Sequence, residues 1–278
     1  MSHLSRAQAR GWFEPRVHLT TAVMVATGME SALLRVATAI TKPTRLGRLG
    51  RGLCGSGLLL VAFAVLTVLV AGPLRSLDVA LNFQRDLSEV RPVLVTVDRI
   101  GQRAVCLPVL GLVAWLASRR ASTWRPVLVA VVSVFVVNVV VAIFKFGLER
   151  GAPMLGEPGF LEGGVMYPSG HTANVVLVYG LAAYLWWQYA AASRRTRHVT
   201  AGIVVALTVI MVCTSLALRW HWFTDLIAGV LVGAAVLRAV TSIDRAVPLR
   251  PQPKHVAASP VTRERVEAEV SQTQLLRH

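Results

Sequence analysis

The sequence predicts an all-α membrane protein, a six-span transmembrane helical bundle with an amphipathic interfacial helix. Hydrophobic residues make up 54% of the 278 residues, charged residues only 15%, and the mean hydropathy is +0.58. The apolar residues are gathered into long runs, and a helix needs about 17 to 25 such residues to cross a hydrocarbon core. Most basic residues lie in blocks beside these runs, which is typical of membrane topology.

Six apolar runs are long enough, or nearly long enough, to cross a bilayer. The second is the shortest, and we expect residues 99–103 to extend it at the membrane interface. Cysteines 54, 106 and 213 all fall within runs, which indicates small hydrophobic side chains and no disulfide framework. The runs cover residues 53–70, 104–118, 126–144, 172–192, 200–218 and 223–240.

Polar segments flank and separate the runs. Residues 1–52 form a basic cytoplasmic lead that we expect to be partly amphipathic or disordered, and 53–241 form the transmembrane domain. Residues 242–278 carry four prolines and mixed charge, which predicts a disordered cytoplasmic tail. Between the first two runs, residues 76–103 interleave apolar and charged side chains. This pattern predicts an amphipathic helix on the outer interface, covering the site or shaping lipid entry.

The net charge of +15 has two explanations, nucleic-acid binding or membrane topology. No basic patch interleaved with aromatic residues occurs, so we expect no nucleic-acid partner. With both termini in the cytoplasm, the inner segments hold 21 Lys and Arg against 6 Asp and Glu, while the outer segments hold 8 of each kind. Basic residues favour the cytoplasmic side. We therefore expect a multi-pass plasma (cell) membrane protein with cytoplasmic termini and an extracytoplasmic site.

Two polar clusters interrupt the apolar pattern. His221 and Asp225 are four residues apart, so on a helix the carboxylate can hold one imidazole nitrogen and leave the other as a nucleophile or base. The alternative is an interfacial histidine beside a helix-capping aspartate. Residues 168–171, Pro-Ser-Gly-His, introduce another apolar run, and a helix start of this kind attracts phosphate. A plain serine cap would explain Ser169 and Gly170 but not His171.

Basic residues stand at the ends of the same runs. Lys145 and Arg150 end the third run and Arg219 ends the fifth, where such residues also occur simply as snorkelling side chains. Their convergence with the two polar clusters on one predicted side of the bundle favours a shared site. The candidate site residues are Lys145, Arg150, Ser169, Gly170, His171, Arg219, His221 and Asp225.

Three stretches of the chain resemble the signatures of the type 2 phosphatidic acid phosphatase family, KxxxxxxRP, PSGH and SRxxxxxHxxxD. They are residues 145–153, residues 167–172 and residues 214–225. The order, the spacing and the placement at run ends agree over residues 126–240, and the second signature is intact.

The resemblance implies a metal-independent phosphatase of a lipid phosphate or diphosphate monoester, such as phosphatidic acid or a polyprenyl diphosphate. It implies that His221 attacks phosphorus to form a phosphohistidine, that Asp225 orients it and that His171 protonates the leaving oxygen. Lys145, Ser169 and the Gly170 amide would hold the phosphoryl oxygens. We expect no cofactor and no metal, and as partners only the membrane and the lipid phosphate substrate.

Two positions depart from the signatures, because Ala152 and Ser215 stand where the family has arginines. Our hypothesis is that Arg150 and Arg219 fill the same space from shifted positions. Two alternative functions stay open: a lipid phosphotransferase on the same scaffold and a noncatalytic lipid-phosphate-binding protein. A transporter would be expected to place polar residues near the membrane midplane, where these runs have almost none.

Overall fold

The structure, a computed structural model, describes residues 45–83 and 86–247. The predicted cytoplasmic lead and disordered tail lie almost wholly outside these residues. At both ends of the predicted transmembrane domain the helices extend past the expected boundaries, beginning at Arg45 and ending at Ala246.

All regular structure in the described residues is helical, as the apolar runs predict. The α-helices are α1 (Arg45–Val70), α2 (Arg75–Leu81), α3 (Arg91–Asp98), α4 (Arg103–Ala121), α5 (Arg125–Leu148), α6 (Gly170–Asn174), α7 (Gly180–Tyr189), α8 (Arg194–Ala217) and α9 (Phe223–Ala246). Short 3₁₀ turns cover Arg99–Gly101 and Pro153–Leu155.

Five helices in the described part of the chain, α1, α4, α5, α8 and α9, are each long and apolar enough to cross a membrane. The fourth predicted span differs in form. There α6 and α7 are joined through a π-helical turn, Val175–Tyr179, with helical backbone angles at both joints. The three pieces make one continuous segment, which we call the 170–189 helix. Its 20 residues are about 30 Å long, enough for a membrane crossing.

The segment predicted as an amphipathic helix forms two short helices instead, α2 and α3. A local turn precedes α3, in which the Asp86 carboxylate accepts the backbone N–H of Ser88 at 3.0 Å. Such side-chain bonds to the backbone compete with helix formation. The acidic side chains of Asp78 and Asp98 are buried rather than directed to water, which amphipathic spacing alone does not predict.

Close packing joins α9 to the 170–189 helix at two glycines one turn apart. A Cβ on Gly229 would lie 2.5 Å from the carbonyl oxygen of Ser169, and one on Gly233 would lie 2.7 Å from that of Ala173. Small residues at this spacing let membrane helices approach closely. The contact places the start of the 170–189 helix directly beside the start of α9.

Candidate active site

Both candidate histidines line one cavity of about 710 Å³. The cavity lies at the end of the bundle where α4, the 170–189 helix and α9 begin and where α5 and α8 end. The lining residues are Gly101, Gln102, Arg103, Lys145, Ala152, Met154, Val165, Met166, Gly170, His171, Asn174, Arg219, Trp220 and His221.

His221, in the loop before α9, faces Asp225 in the first turn of that helix. The imidazole Nδ1 lies 3.5 Å from Asp225 Oδ2 and makes no hydrogen bond within the described residues. This distance exceeds that of an ordinary hydrogen bond, but catalytic contacts are often long before substrate binds. With Nδ1 turned to the carboxylate, Nε2 is the nitrogen left for chemistry. His221 is 8% exposed and Asp225 is fully buried.

Asp225 is held by several donors. Its Oδ2 accepts the backbone N–H of Trp222 at 3.0 Å, and its Oδ1 accepts from the Arg150 guanidinium. Its own backbone carbonyl accepts the N–H of Ser169 at 2.9 Å. The loop before α9 and the turn before the 170–189 helix are therefore joined at the same residue.

Arg150 lies away from the lining of the cavity, with its guanidinium fully buried. Nη1 binds Asp225 and, at 2.8 Å, the hydroxyl of Thr224, while Nη2 binds Asp78 Oδ2 at 2.5 Å. Asp78 also accepts the Thr224 backbone N–H at 3.0 Å and the Thr224 hydroxyl at 2.5 Å. Both guanidinium ends thus bind carboxylates, and Arg150 is not among the residues that line the cavity.

Aromatic rings surround the same guanidinium. Its central carbon lies 5.6 Å from the ring centre of Phe160, 5.8 Å from that of Tyr167 and 5.9 Å from that of Trp222. Tyr167 shares a hydrogen bond of 2.7 Å with Thr67, and burial raises the pKa of its phenol to about 12. Tyr167 is therefore a neutral packing and hydrogen-bonding residue near neutral pH.

The Pro-Ser-Gly-His turn forms the start of the 170–189 helix, after a cis Tyr167–Pro168 bond. Ser169 is fully buried, and its Oγ accepts the Thr172 backbone N–H at 3.4 Å and the Thr172 hydroxyl at 3.2 Å. These are helix-cap contacts, and Ser169 is absent from the cavity lining, whereas Gly170 and His171 belong to it. Ser169 therefore caps this helix, which is the role that we named as the alternative to phosphate binding.

Lys145, in the last turn of α5, and Arg219, just after the end of α8, both line the cavity. Lys145 Nζ donates to the carbonyl of Val165 in the loop that precedes the signature turn. Arg219 donates from Nε to Asn82 Oδ1 at 2.8 Å and from Nη2 to the Pro153 carbonyl at 3.1 Å. The acceptors that hold these two side chains are uncharged carbonyl and amide oxygens. They therefore do not neutralise the positive charges of Lys145 and Arg219.

The two departures from the family signatures differ in their surroundings. Ala152 lines the cavity with a methyl group, whereas Ser215 is fully buried and donates to Asp98 Oδ1 at 2.5 Å. The other carboxylate oxygen, Asp98 Oδ2, makes no hydrogen bond within the described chain. Neither position contributes positive charge to the cavity.

Sequence reasoning missed four residues at or near the site. Asp78 and Asp98 were treated as parts of a polar helix face, and Gln102 and Arg103 as an interfacial extension of α4. A buried position cannot be inferred from a segment that alternates polar and apolar residues. Within residues 45–83 and 86–247, no group of three His, Cys, Asp or Glu side chains lies close enough to hold a metal ion.

Comparisons with known proteins find a family model and a solved structure to which this chain is similar. Residues 126–247 match the model of the PAP2 superfamily. The fold is similar to the crystal structure of a transmembrane PAP2-type phosphatidylglycerolphosphate phosphatase from Bacillus subtilis, with a TM-score of 0.60 and 19% sequence identity over 71% of this chain and 98% of that one. A comparison with curated proteins finds no match. The match over residues 126–247 confirms the resemblance seen in the three signatures, which all lie within that range.

Proposed function

We propose that the protein is an integral membrane lipid phosphatase that hydrolyses a phosphate or diphosphate monoester of a lipid. The observation that carries the proposal is that His171 and His221 line one cavity together with Lys145 and Arg219. Phosphoryl transfer needs an in-line nucleophile, a proton source and positive charge around the phosphoryl oxygens. These four side chains supply all three.

The first step is attack on phosphorus by Nε2 of His221. As the P–N bond forms, the P–O bond to the lipid breaks, and the leaving oxygen takes a proton from the protonated His171. The products are a phosphohistidine and a lipid alcohol, or a lipid monophosphate when the substrate is a diphosphate. Asp225, on the Nδ1 side of the ring, stabilises the positive charge that develops on His221.

The second step returns the enzyme to its starting state. His171, now neutral, takes a proton from a water molecule while the water oxygen attacks phosphorus. The P–N bond breaks, its electron pair returns to His221, and orthophosphate leaves. None of the residues in this sequence of steps requires a metal ion, so we propose metal-independent hydrolysis.

A lipid substrate is favoured by the position and lining of the cavity. It lies at the ends of apolar helices, and Met154, Val165, Met166 and Trp220 contribute apolar surface beside the charged groups. A substrate whose tail stays in the bilayer can place its phosphate at such a site. Phosphatidic acid, polyprenyl diphosphates and phosphatidylglycerol phosphate all have this form.

We also propose that the cavity faces away from the cytoplasm, because the basic excess lies at the other end of the helices. Cysteine labelling of intact cells tests this, in a variant without the native cysteines. An impermeant maleimide should label Leu155→Cys, in the loop beside the cavity, and not Thr123→Cys, in the loop between α4 and α5. The reverse labelling pattern would place the site in the cytoplasm.

The test of the activity is phosphate release by detergent-purified protein in EDTA. The panel contains the three lipid classes and a soluble phosphate ester, with His221→Ala as the inactive variant and His198→Ala, an exposed histidine of α8, as its control. We expect release from a lipid that His198→Ala retains and His221→Ala loses. Lipid consumption without phosphate release would instead indicate a phosphotransferase, and lipid binding without consumption a binding protein.

A further inference from the structure

The positively charged side chains of the cavity do not stand at the arginine positions of the family signatures. Three of the described residues that line the cavity are cationic, Arg103, Lys145 and Arg219, and none of the described lining residues is acidic. The usual arginine positions, by contrast, hold Ala152 and Ser215. The positive charge that phosphoryl transfer requires must come from other places in the chain.

Arg103 differs from the other two cations in its bonding. Lys145 and Arg219 already donate to protein carbonyl or amide oxygens. Arg103 is exposed, and its guanidinium makes no hydrogen bond or ion pair with any described residue. All of its donors are therefore available to a ligand that enters the cavity.

The backbone holds Arg103 close to the reacting groups. The 3₁₀ turn before α4 packs on the signature turn, since a Cβ on Gly101 would lie 3.0 Å from His171 Cβ and 3.1 Å from the His171 carbonyl oxygen. Arg103 follows two residues later, at the first position of α4. Its charge acts on both His171 and Lys145. The guanidinium thus belongs to the same electrostatic environment as the proposed acid and the proposed phosphate ligand.

We propose that Arg103 binds the phosphoryl oxygens of the substrate and stands in for a guanidinium that the family signatures place elsewhere. The proposal rests on the proposed function and assigns one more substrate-binding residue to the same site. A guanidinium offers paired N–H donors that match two phosphate oxygens, which a lysine ammonium cannot reproduce. Arg103 and Arg219 then supply the two guanidiniums of the cavity, one from the start of α4 and the other from the loop before α9.

The first experiment compares Arg103→Ala with Arg99→Ala. Arg99 is an exposed arginine of the adjacent 3₁₀ turn and does not line the cavity. We expect Arg103→Ala to lower kcat/KM for the lipid substrate by about 100-fold, on the scale of losing one transition-state donor. Arg99→Ala should stay within about 2-fold of the parent. Arg103→Lys should recover only part of the loss, because the charge returns without the paired donors.

The second experiment restores the family arginine. Ala152→Arg places a guanidinium at another position that lines the cavity. If Arg103 stands in for the missing charge, the loss caused by Arg103→Ala should shrink to below about 10-fold when Ala152→Arg is present. An equal loss of kcat/KM with and without Ala152→Arg would show that positions 103 and 152 do not serve the same role. That result would refute the proposal that Arg103 stands in for the missing arginine.

A binding measurement separates this proposal from the phosphatase activity. Orthovanadate, an analogue of the phosphoryl group, is titrated calorimetrically into the parent, Arg103→Ala and Arg99→Ala. We expect at least 10-fold weaker binding in Arg103→Ala alone. Unchanged binding and unchanged kcat/KM in Arg103→Ala would refute the proposal while leaving the phosphatase in place. An inactive parent that still binds vanadate through Arg103 would refute the phosphatase and support the anion site.

Discussion

Arg150 binds the carboxylate of Asp225 through Nη1, and both side chains are fully buried. The other oxygen of that carboxylate faces Nδ1 of His221. A second carboxylate, Asp78, binds the opposite end of the same guanidinium. The orientation of the proposed nucleophile therefore depends on a chain of charges that reaches from α2 to α9.

Asp225→Asn tests the last contact in that chain. The amide keeps the shape of the side chain but loses the negative charge that stabilises an imidazolium, and its NH₂ group can turn toward Nδ1. We expect kcat to fall by at least about 1,000-fold, as for loss of the orienting carboxylate in other catalytic histidine pairs. Single-turnover phosphate release measures the effect. Normal turnover by a folded Asp225→Asn protein would show that the carboxylate has no part in catalysis.

Arg150→Met tests the buried charge that both carboxylates share. Removal of one partner leaves Asp78 and Asp225 buried without their counter-charge, which typically costs about 3–5 kcal/mol of unfolding free energy. Adding Asp78→Asn should recover part of that loss, because it removes one of the two stranded charges. Thermal unfolding in detergent, followed by tryptophan fluorescence, measures both variants.

Arg75→Met is the matched control for Arg150→Met. Arg75 belongs to the same short helix as Asp78, but its contact with Glu157 is 3.9 Å long and both side chains are exposed. Exposed pairs of this kind contribute little to stability. Its melting temperature should match that of the parent, and a fall as large as that of Arg150→Met would contradict the assignment of the loss to buried charge.

Spacing alone could identify part of this site. The four-residue spacing of His221 and Asp225 predicts that the two side chains meet, and they do, although His221 lies in the loop before α9 and only Asp225 is in the helix. His171 stands out because a serine cap does not need it. The surroundings of Arg150 could not be predicted in this way, because its position two residues before Ala152 suggests a phosphate ligand and says nothing of a buried ion pair. Its partner Asp78 lies 72 residues earlier in the chain. Only the tertiary packing of α2 against the loop after α5 brings these two charges together.

The helical spans could also be predicted from the sequence, although not in every detail. Length and hydropathy identify α1, α4, α5, α8 and α9 because a hydrocarbon core imposes both. The π-helical turn within the 170–189 helix is not visible in composition, since it changes hydrogen bonding and not side-chain character. The burial of Asp98 likewise depends on Ser215, a residue of a distant helix.

Ser215→Ala tests whether Asp98 is a structural acceptor for that hydroxyl. The substitution removes the 2.5 Å hydrogen bond to a fully buried carboxylate, which should cost about 1–3 kcal/mol. Thr208→Ala, on the same helix, removes a hydroxyl whose hydrogen bond among the described residues is to the carbonyl of Val204 in its own helix, and it should change stability less. Chemical unfolding in detergent compares the two. Equal stability of the two variants would mean that Ser215 contributes no more than an ordinary helical hydroxyl.

Tyr167→Phe tests the effect of burial on an ionisable phenol. Burial raises the pKa of Tyr167 from its ordinary value of 10.0 to about 12, so the folded state holds this proton more tightly than the unfolded state. As the pH rises from about 10 to about 12, the unfolded chain releases the proton first, and folding stability falls. The parent should therefore lose more stability than Tyr167→Phe over this interval. Parallel unfolding curves for the two proteins across it would contradict the shift.

Gly229→Ala tests the packing that joins the two signature turns. A Cβ at Gly229 would lie 2.5 Å from the Ser169 carbonyl oxygen, so the start of the 170–189 helix must move away from α9. A displacement of about 1 Å in a catalytic group can lower turnover about 100-fold, and we expect a loss of that order together with a lower melting temperature. Gly202→Ala on α8 is the control, because a Cβ there would meet no atom of residues 45–83 or 86–247 within 4 Å. It should keep full activity, since alanine favours a helix over glycine. Full activity in Gly229→Ala would show that the two histidines do not depend on this close approach, and the joint at Asp225 would then be sufficient by itself to hold them.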